Sequence, residues 1–260
     1  MGYCPRGFGM PQEDCDMDLR SKHEVEHGEL LAAAEDVERA WGWGTPAGRE
    51  RGKRRARLIA EGAHLGPGVY ALEVGCGTGM FTEMFAQTGA QLVAVDISPD
   101  LLEKARTRGL PTTRVQFIQG CFEHCDVEGP FDAVIGSSVL HHLELASALS
   151  TIYALLKPAG LMSFAEPNLL NPQVFVERTF RRWFPYVSPD ETAFVRCKLK
   201  GDLAGAGFED IEVTPFDWLH PATPASMIGP VGAVGCLLER LPLVREFAGS
   251  LYVHARRPVG

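Results

Sequence analysis

From residue 69 onward the chain alternates between short apolar runs and longer stretches with apolar residues at helical spacing. Continuous apolar runs of this length predict buried strands, and five of them lie at 69–74, 91–95, 115–119, 131–136 and 161–165. Between them, helical stripes such as that of Leu145, Leu149 and Ile152 recur. Strands separated by helices of this length form βαβ units, so we predict an α/β fold with a doubly wound parallel sheet.

Two segments interrupt this alternation after the fifth strand. They are 167–189, which is rich in aromatic residues and arginines, and 215–248. A helix over 190–204 and a strand over 210–214 are predicted between them, and a last strand over 250–255 after them. The expected core domain therefore spans 67–260 and carries two inserts.

The segment before the first strand has a different character. Residues 1–20 are polar and acidic, which predicts a disordered tail, and an apolar stripe predicts a helix over 30–41. A Trp- and Gly-rich break follows, and residues 49–57 then contain five arginines and one lysine. These basic residues either form a solvated helix face or reach an anionic ligand group. We expect residues 21–66 to form a helical lid over the ligand-binding edge of the sheet.

The first strand ends in a glycine turn, Gly75-Cys76-Gly77-Thr78-Gly79, and a helix follows directly. Glycine adopts positive φ and has no Cβ, so such a turn can approach a ligand closely. Ligands of doubly wound sheets bind at the carboxyl ends of the strands. Asp96, Cys121, Ser137 and Glu166 are predicted at those ends, which converge on the turn.

The spacing of the glycines separates the known kinds of glycine turn. A dinucleotide-binding G-x-G-x-x-G turn needs a third glycine where Met80 stands, and the phosphate-binding G-x-x-x-x-G-K-[ST] sequence is absent. The G-x-G-x-G pattern instead resembles the first motif of class I S-adenosylmethionine (SAM)-dependent methyltransferases. The resemblance covers 69–166: Asp96 at the end of strand two, Phe131-Asp132-Ala133-Val134 followed by Val139-Leu140-His141-His142-Leu143, and Leu156-Lys157-Pro158-Ala159-Gly160.

The resemblance implies a Rossmann-like sheet of seven strands, mostly parallel with the last strand antiparallel, and helical lid inserts. It also implies SAM as cofactor and S-adenosylhomocysteine as product. The glycines would approach the methionine and ribose parts, Glu73 would organise the site, Asp96 would bind the ribose hydroxyls, and Ser137 would contact the methionine portion. Ile97 and Phe122 would lie at the adenine; Cys121 stands where the family often has Asp, and Glu123 is the alternative there. The implied cofactor-binding residues are Glu73, Gly75, Cys76, Gly77, Thr78, Gly79, Asp96, Ile97, Cys121, Phe122 and Ser137.

Methyl transfer needs alignment, exclusion of water and, for some acceptors, a base. His141 is the first choice for that base, because it follows strand four and resembles a working histidine of phosphoethanolamine methyltransferases. Imidazole titrates near neutral pH, which suits this role. A packed or capping histidine is the alternative. Glu166 is the next catalytic candidate, and His220 follows it.

The acceptor is expected to be a small molecule, methylated on oxygen, nitrogen or carbon. Aromatic residues of the predicted lid favour a natural product, a quinone or another aromatic or lipidic metabolite: Trp41, Trp43, Trp183, Tyr186 and Trp218. Arg181, Arg182 and the basic residues at 49–57 equally suit a carboxylate or phosphate group. A nicotinamide-dependent oxidoreductase and a SAM-binding regulatory protein without turnover are the alternative functions.

Composition limits the partners. The net charge of −8 argues against binding to nucleic acid, which depends on neutralising phosphates. The longest apolar run, 227–238, is too short to span a bilayer and leaves room only for peripheral membrane contact. Seven cysteines without a metal-ligand pattern indicate a reduced, cytoplasmic chain with no metal site. A monomer or homodimer is expected.

Overall fold

The computed structural model describes residues 19–124, 127–184, 187–188 and 190–260. Most of the predicted tail, Cys125 and Tyr186 therefore lie outside the described residues. The helices are α1 (Leu19–Ala32), α2 (Val37–Ala40), α3 (Pro46–Gly62), α4 (Met80–Ala86), α5 (Pro99–Arg106), α6 (Leu145–Leu155), α7 (Pro172–Thr179), α8 (Arg196–Gly205) and α9 (Ile228–Leu238). The strands are β1 (Tyr70–Val74), β2 (Gln91–Asp96), β3 (Val115–Gln119), β4 (Phe131–Ser137), β5 (Leu156–Pro167), β6 (Glu209–Phe216) and β7 (Ser250–Arg256).

The strands form one seven-stranded sheet in the order β3-β2-β1-β4-β5-β7-β6. The first five are parallel, with Leu72 of β1 in register with Val93 of β2 and Val134 of β4. Strand β7 is inserted antiparallel between β5 and β6. The predicted fold class, a mostly parallel Rossmann-like sheet whose last strand is antiparallel, is confirmed. After β1 the strands are added on one side, as β2 and β3, and then on the other side, as β4 and β5. This topological switch point places the expected ligand-binding crevice at the carboxyl ends of β1 and β4.

Helices cover both faces of the sheet, which explains the uninterrupted apolar runs of the central strands. Leu72 faces α6 and α8, where Leu149 and Leu199 are buried. Its neighbour Ala71 faces the opposite side, where Ile59 of α3 and Phe85 of α4 pack. Because successive side chains alternate between faces, one short strand contributes to two cores.

Two predicted helices have different bounds in the structure. The helix predicted over 30–41 is two helices: α1 ends at Ala32, and α2 begins after Asp36, whose side chain accepts a hydrogen bond from the Arg39 N–H at 2.8 Å. A new N-cap of this kind ends the apolar stripe as one helix. The helix predicted over 190–204 begins only at Arg196, because the preceding stretch pairs Phe194 with Asn168 instead.

The two inserts contact each other beside the carboxyl ends of the parallel strands. The first contains α7 and the second contains α9. The Asn168 side-chain amide donates to the carbonyl oxygens of Glu246 (2.8 Å) and Ala248 (2.7 Å), and that of Asn171 donates to the Phe247 carbonyl (2.9 Å). None of the helices in the described residues is long and apolar enough to cross a membrane.

Candidate active site

A cavity of about 610 Å³ opens at the carboxyl ends of the parallel strands. Its wall combines the turn after β1, the ends of β2, β3 and β4, the N-terminal helices, and both inserts. Most of the site residues expected from the sequence line this wall, namely Gly75, Cys76, Gly77, Thr78, Asp96, Ile97, Cys121, Phe122, Ser137 and His141. Glu73, Gly79 and Glu166 are not part of the lining. One cavity thus brings together residues that are far apart in the sequence.

The glycine turn has the left-handed backbone conformation that favours glycine. Gly75 has φ +66°, and a Cβ there would lie 2.3 Å from Cγ2 of Val139. Gly77 has φ +52°, and a Cβ there would lie 3.4 Å from the Trp41 ring. Gly79, with φ +74°, is the N-cap of α4. Positive φ favours glycine at all three positions, and close packing excludes a side chain at Gly75, so the turn presents bare backbone to the cavity.

Asp96 connects the glycine turn to the start of α5. Its Oδ2 accepts the Gly77 N–H at 2.7 Å, and its Oδ1 accepts the Ser98 N–H at 2.9 Å. Burial raises the pKa of Asp96, although these two backbone hydrogen bonds oppose the increase. Each carboxylate oxygen keeps a second lone pair for a ligand hydroxyl.

Glu73 lies directly behind the turn, 1% exposed. Burial, with a further contribution from the negative charge of Asp96, raises the pKa of Glu73 to about 8. Its Oε2 has no hydrogen-bond partner among the described residues. Such an atom is costly to bury unless something satisfies it, and the neighbouring Thr82 hydroxyl, whose hydrogen bond opposes the rise in the pKa of Glu73, is the group placed to do so.

His141 is held on both sides of its ring by carboxylates. Nδ1 lies 2.7 Å from Oε2 of Glu166, and Nε2 lies 3.2 Å from Oε1 of Glu191. Burial lowers the pKa of His141, but the hydrogen bonds to Glu166 and Glu191 outweigh it and raise the pKa above its ordinary value. The ring is therefore oriented by one carboxylate while its second nitrogen faces the other.

Glu166 itself is fully buried and lies behind the cavity wall. Its Oε1 accepts the backbone N–H groups of Val139 and Leu140, each at 3.0 Å, while its Oε2 contacts His141. Because it lies outside the cavity lining, Glu166 is better described as a residue that positions His141 than as a base for the acceptor.

Glu191 and Arg178 are site residues that the sequence did not reveal. Both line the cavity, and the Arg178 guanidinium donates to Glu191 Oε1. Burial would raise the pKa of Glu191, but its contacts with His141 and Arg178 hold that pKa well below the usual range. Glu191 lies in a loop after the first insert, and no local pattern relates it to His141.

Arg55 is a buried cation at the ends of β4 and β5, 2% exposed. It donates to Ser138 Oγ (2.7 Å) and to the Ala165 carbonyl (2.9 Å), and it lies 5.1 Å from the Trp43 ring centre. Burial lowers its pKa to about 10, so it stays charged near neutral pH. Its Nε has no hydrogen-bond partner among the described residues. This guanidinium is the member of the basic 49–57 cluster best placed for an anionic ligand group.

The N-terminal helices are attached to the site by polar contacts. Glu38 of α2 accepts from the Thr78 hydroxyl at 3.1 Å and from Arg108. Glu24 of α1 lies 2.9 Å from Nδ1 of His142. These contacts place α1 and α2 over the glycine turn and beside His141.

Several residues expected at the acceptor lie elsewhere. Trp183 is 69% exposed and outside the cavity, and Arg181 and Arg182 also do not line it. Trp41, Trp43, Trp218, Glu123 and His220 do line the cavity.

One group of side chains has the composition of a metal site. The ligand atoms of His141, His142 and Glu191 lie within 4.8 Å of one another. Arg178, however, places a cation on Glu191. A positive charge beside the carboxylate disfavours a metal ion at this position.

Comparison with known proteins shows that the chain is similar to methyltransferases. A methyltransferase domain family matches residues 71–160. Nodulation protein S of Sinorhizobium fredii is 27% identical over 167 residues, 63% of this chain and 70% of that protein. Ubiquinone biosynthesis O-methyltransferase of Xanthomonas oryzae pv. oryzae is 36% identical over 119 residues, 44% of this chain and 46% of that protein. The chain thus aligns with about half the length of this O-methyltransferase.

Solved structures share the fold over most of the chain. The N-methyltransferase NodS of Bradyrhizobium japonicum, in complex with S-adenosylhomocysteine, has a TM-score of 0.63 at 20% identity, covering 91% of this chain and 99% of that one. A putative methyltransferase of Haloferax volcanii in complex with the activator Trm112 has a TM-score of 0.65 at 18% identity, covering 90% and 98%. At these identities the likeness concerns the fold.

Proposed function

We propose that this chain methylates a hydroxyl group of a small molecule with an apolar or aromatic body. The chain belongs to the class I SAM-dependent methyltransferases and is an enzyme of that class. One observation carries this proposal. His141, oriented by Glu166 through a 2.7 Å contact, lies in the wall of the same cavity as the glycine turn and Asp96. The candidate base and the candidate cofactor site thus line one cavity.

The residues at the turn fit SAM. Gly75 and Gly77 offer a backbone surface without side chains, Asp96 has lone pairs for the ribose hydroxyls, and Arg55 carries the charge that a methionine carboxylate requires. The cofactor supplies a methyl group on a sulfonium sulfur.

The proton of the acceptor is removed at Nε2 of His141. In the neutral ring Nδ1–H donates to Glu166, which leaves a lone pair on Nε2. Glu191 Oε1 lies 3.2 Å from this nitrogen, so the acceptor hydroxyl must displace Glu191 to donate to Nε2. Nε2 then takes the proton that the hydroxyl loses on methylation, and Glu166 stabilises the imidazolium. A positioned base of this kind contributes about 10²–10⁴-fold to the rate.

The rest of the cavity indicates what kind of molecule carries the hydroxyl. Its wall includes the apolar side chains Trp43, Phe81, Leu143, Val174, Trp218 and Leu219. Binding sites of this composition bury the body of a ligand by the hydrophobic effect, while a few polar groups orient it. The ubiquinone relative is named as an O-methyltransferase, which agrees with a hydroxyl acceptor.

An amine acceptor is the second candidate, and a specific feature favours it. Glu24, Glu123 and Glu191 line the cavity. Glu24 pairs with His142, and Glu191 pairs with His141 and Arg178, so Glu123 is the carboxylate that would attract an ammonium group. The NodS neighbour is described as an N-methyltransferase.

A matched acceptor screen tests the proposal. The enzyme is incubated with SAM and with pairs of compounds that differ only in bearing a hydroxyl or an amine, and products are identified by mass spectrometry. Methyl ethers from the hydroxyl members support the proposal, and methylamines alone would overturn it in favour of the second candidate. SAM binding without any product would support a non-catalytic SAM-binding protein.

Asp96→Ala is expected to weaken SAM binding by about 1.5–3 kcal/mol, the scale of hydrogen bonds to a charged group. Isothermal titration calorimetry measures this change. Asp100→Ala, in the exposed first turn of α5, is the matched control and should bind SAM like the wild type. An unchanged dissociation constant for Asp96→Ala would show that this carboxylate does not contact the ribose.

The rate with a hydroxyl acceptor is expected to rise with pH through a midpoint above 6.5. The hydrogen bonds to Glu166 and Glu191 raise the pKa of His141, and only the neutral ring can accept a proton. A pH profile of kcat/KM measures the midpoint. A rate that falls as the pH rises through this range would contradict a basic role for His141.

The cell compartment and assembly state belong to the same proposal. Cys76, Cys121, Cys197 and Cys236 are free thiols, which suits the reducing cytoplasm. A monomer or homodimer acting on a small molecule, without nucleic acid, fits the acidic chain and the enclosed site.

A further inference from the structure

Exposed apolar side chains are concentrated in the two inserts. Twelve of the fifteen large hydrophobic side chains exposed in the described part of the chain lie there. They are Leu170, Phe175, Val176, Phe180, Trp183, Met227, Val234, Leu237, Leu241, Leu243, Val244 and Phe247, and we call them the apolar rim. Large apolar patches are rare on soluble monomers and mark interaction sites.

Contacts between the inserts join the two parts of the rim. Asn171, at the N-terminus of α7, donates to the carbonyl of Phe247 in the second insert at 2.9 Å. Arg196, after the first insert, pairs with Glu246 at 2.9 Å. The exposed residues of α7 therefore lie beside those that follow α9, and the rim borders one region of the surface.

Helix α9 is the least expected part of this surface. Its eleven residues, IGPVGAVGCLL, include no charged side chain, and only Gly235 is buried. Val234 and Leu237 are 56% and 58% exposed. A helix that is apolar all round is normally buried. Because α9 is exposed in the isolated chain, we expect something outside the chain to cover it.

Basic residues are exposed at the rim. Arg182 and Arg240 lie beside it. Two acidic residues of the second insert are neutralised within the chain, since Glu239 pairs with Arg54 and Glu246 with Arg196. In a chain of net charge −8, this apolar surface with basic residues is the part that is complementary to an anionic layer.

The rim also borders the cavity. Helix α7 contributes Val174 and Arg178 to the cavity wall, while its Phe175 and Val176 are exposed in the rim. On the second insert, Trp218 lines the cavity. It also packs against Gly235 of α9, since a Cβ added at Gly235 would lie 3.0 Å from the Cβ of Trp218. Elements that enclose the cavity therefore also form the rim.

We propose that the apolar rim docks the enzyme on the surface of an anionic phospholipid bilayer. The apolar side chains enter the boundary between headgroups and acyl chains, the stacked Phe180 and Trp183 lie at headgroup level, and Arg182 and Arg240 face the anionic headgroups. An apolar acceptor then reaches the cavity from the bilayer side. The docking itself does not depend on which atom the enzyme methylates.

The chemistry of α9 favours lipid over a protein partner. A protein interface carries about one hydrogen bond per 100–200 Å², and α9 offers only a thiol among its side chains as a hydrogen-bonding group. Hydrocarbon requires none. A second copy of the chain is the competing occupant, and the experiment distinguishes the two.

Vesicle co-sedimentation tests the proposal, using the full chain and vesicles of phosphatidylcholine with or without phosphatidylglycerol. We expect binding that increases with phosphatidylglycerol and decreases with salt. Phe175→Ser/Trp183→Ser/Leu237→Ser should lower the partition coefficient by at least about tenfold. Arg182→Gln/Arg240→Gln should lower it by about 25-fold on anionic vesicles, because each basic side chain contributes about fivefold.

Leu30→Ser/Val259→Ser is the matched control, because both residues are 66% exposed and lie outside the rim. It should bind vesicles like the wild type. Calorimetric SAM binding confirms that every variant is folded, and it separates failure of docking from failure of the proposed function. The proposal is overturned if the wild type does not bind vesicles, or if the control loses as much binding as the triple variant. It is also overturned if the wild type binds no vesicles but forms a dimer in light scattering that the triple variant abolishes.

Discussion

His141→Gln is expected to lower kcat for a hydroxyl acceptor by about 10²–10⁴-fold, the contribution of a positioned base. The amide retains hydrogen-bonding capacity toward Glu166 and Glu191 but cannot take up a proton. SAM affinity should stay near the wild-type value, because the contacts proposed for the cofactor are made at the glycine turn. Single-turnover kinetics and calorimetry measure the two quantities separately.

His220→Ala is the matched control for this result. His220 also lines the cavity, but its Nδ1 accepts the Ala222 N–H at 3.0 Å, a local turn contact. We expect at most a small change in kcat. An equal loss in both variants would indicate a general effect on the cavity, and full activity of His141→Gln would show that the ring is only a packing element.

Glu166→Leu is expected to destabilise the protein by about 3–5 kcal/mol, the cost of removing one partner from a buried ion pair. The change leaves His141 without its 2.7 Å partner and the N–H groups of Val139 and Leu140 without an acceptor. Urea denaturation measures the free energy of unfolding. Glu166→Gln should lose less, since its amide oxygen can still accept from both N–H groups.

The pH dependence of this loss checks its cause. The pKa of His141 is raised in the folded protein, so the stability that its charge contributes is fully present below the unfolded pKa of about 6.5. That stability is lost as the pH rises through the folded pKa. The destabilisation by Glu166→Leu should therefore be larger at pH 6 than at pH 9. A cost independent of pH would point to packing alone.

The sheet and the cofactor side of the site follow from local patterns. Buried parallel strands require uninterrupted apolar runs, and positive φ in a tight turn requires glycine, as at Gly75 and Gly77. The spacing between that turn and Asp96 is set by one βαβ unit. Such features are encoded within a few residues of each other, so the sequence shows them directly.

Helix boundaries were less predictable, because competing local and long-range contacts decide them. The stripe that suggested one helix over 30–41 contains Asp36, whose cap starts a second helix. The stretch before Arg196 is drawn away from helix by the pairing of Phe194 with Asn168. Hydrophobic periodicity alone cannot rank these alternatives.

By itself the sequence determined the doubly wound sheet, the glycine turn and the acidic residue at the end of β2. The tertiary structure alone decided that Glu166 lies behind His141, that Glu191 and Arg178 reach the same ring, and that Trp183 belongs to an exposed rim. The reason is physical. Backbone conformation and burial of a strand depend on neighbours in the chain, whereas a charge cluster depends on loops that meet only after the sheet and both inserts have folded.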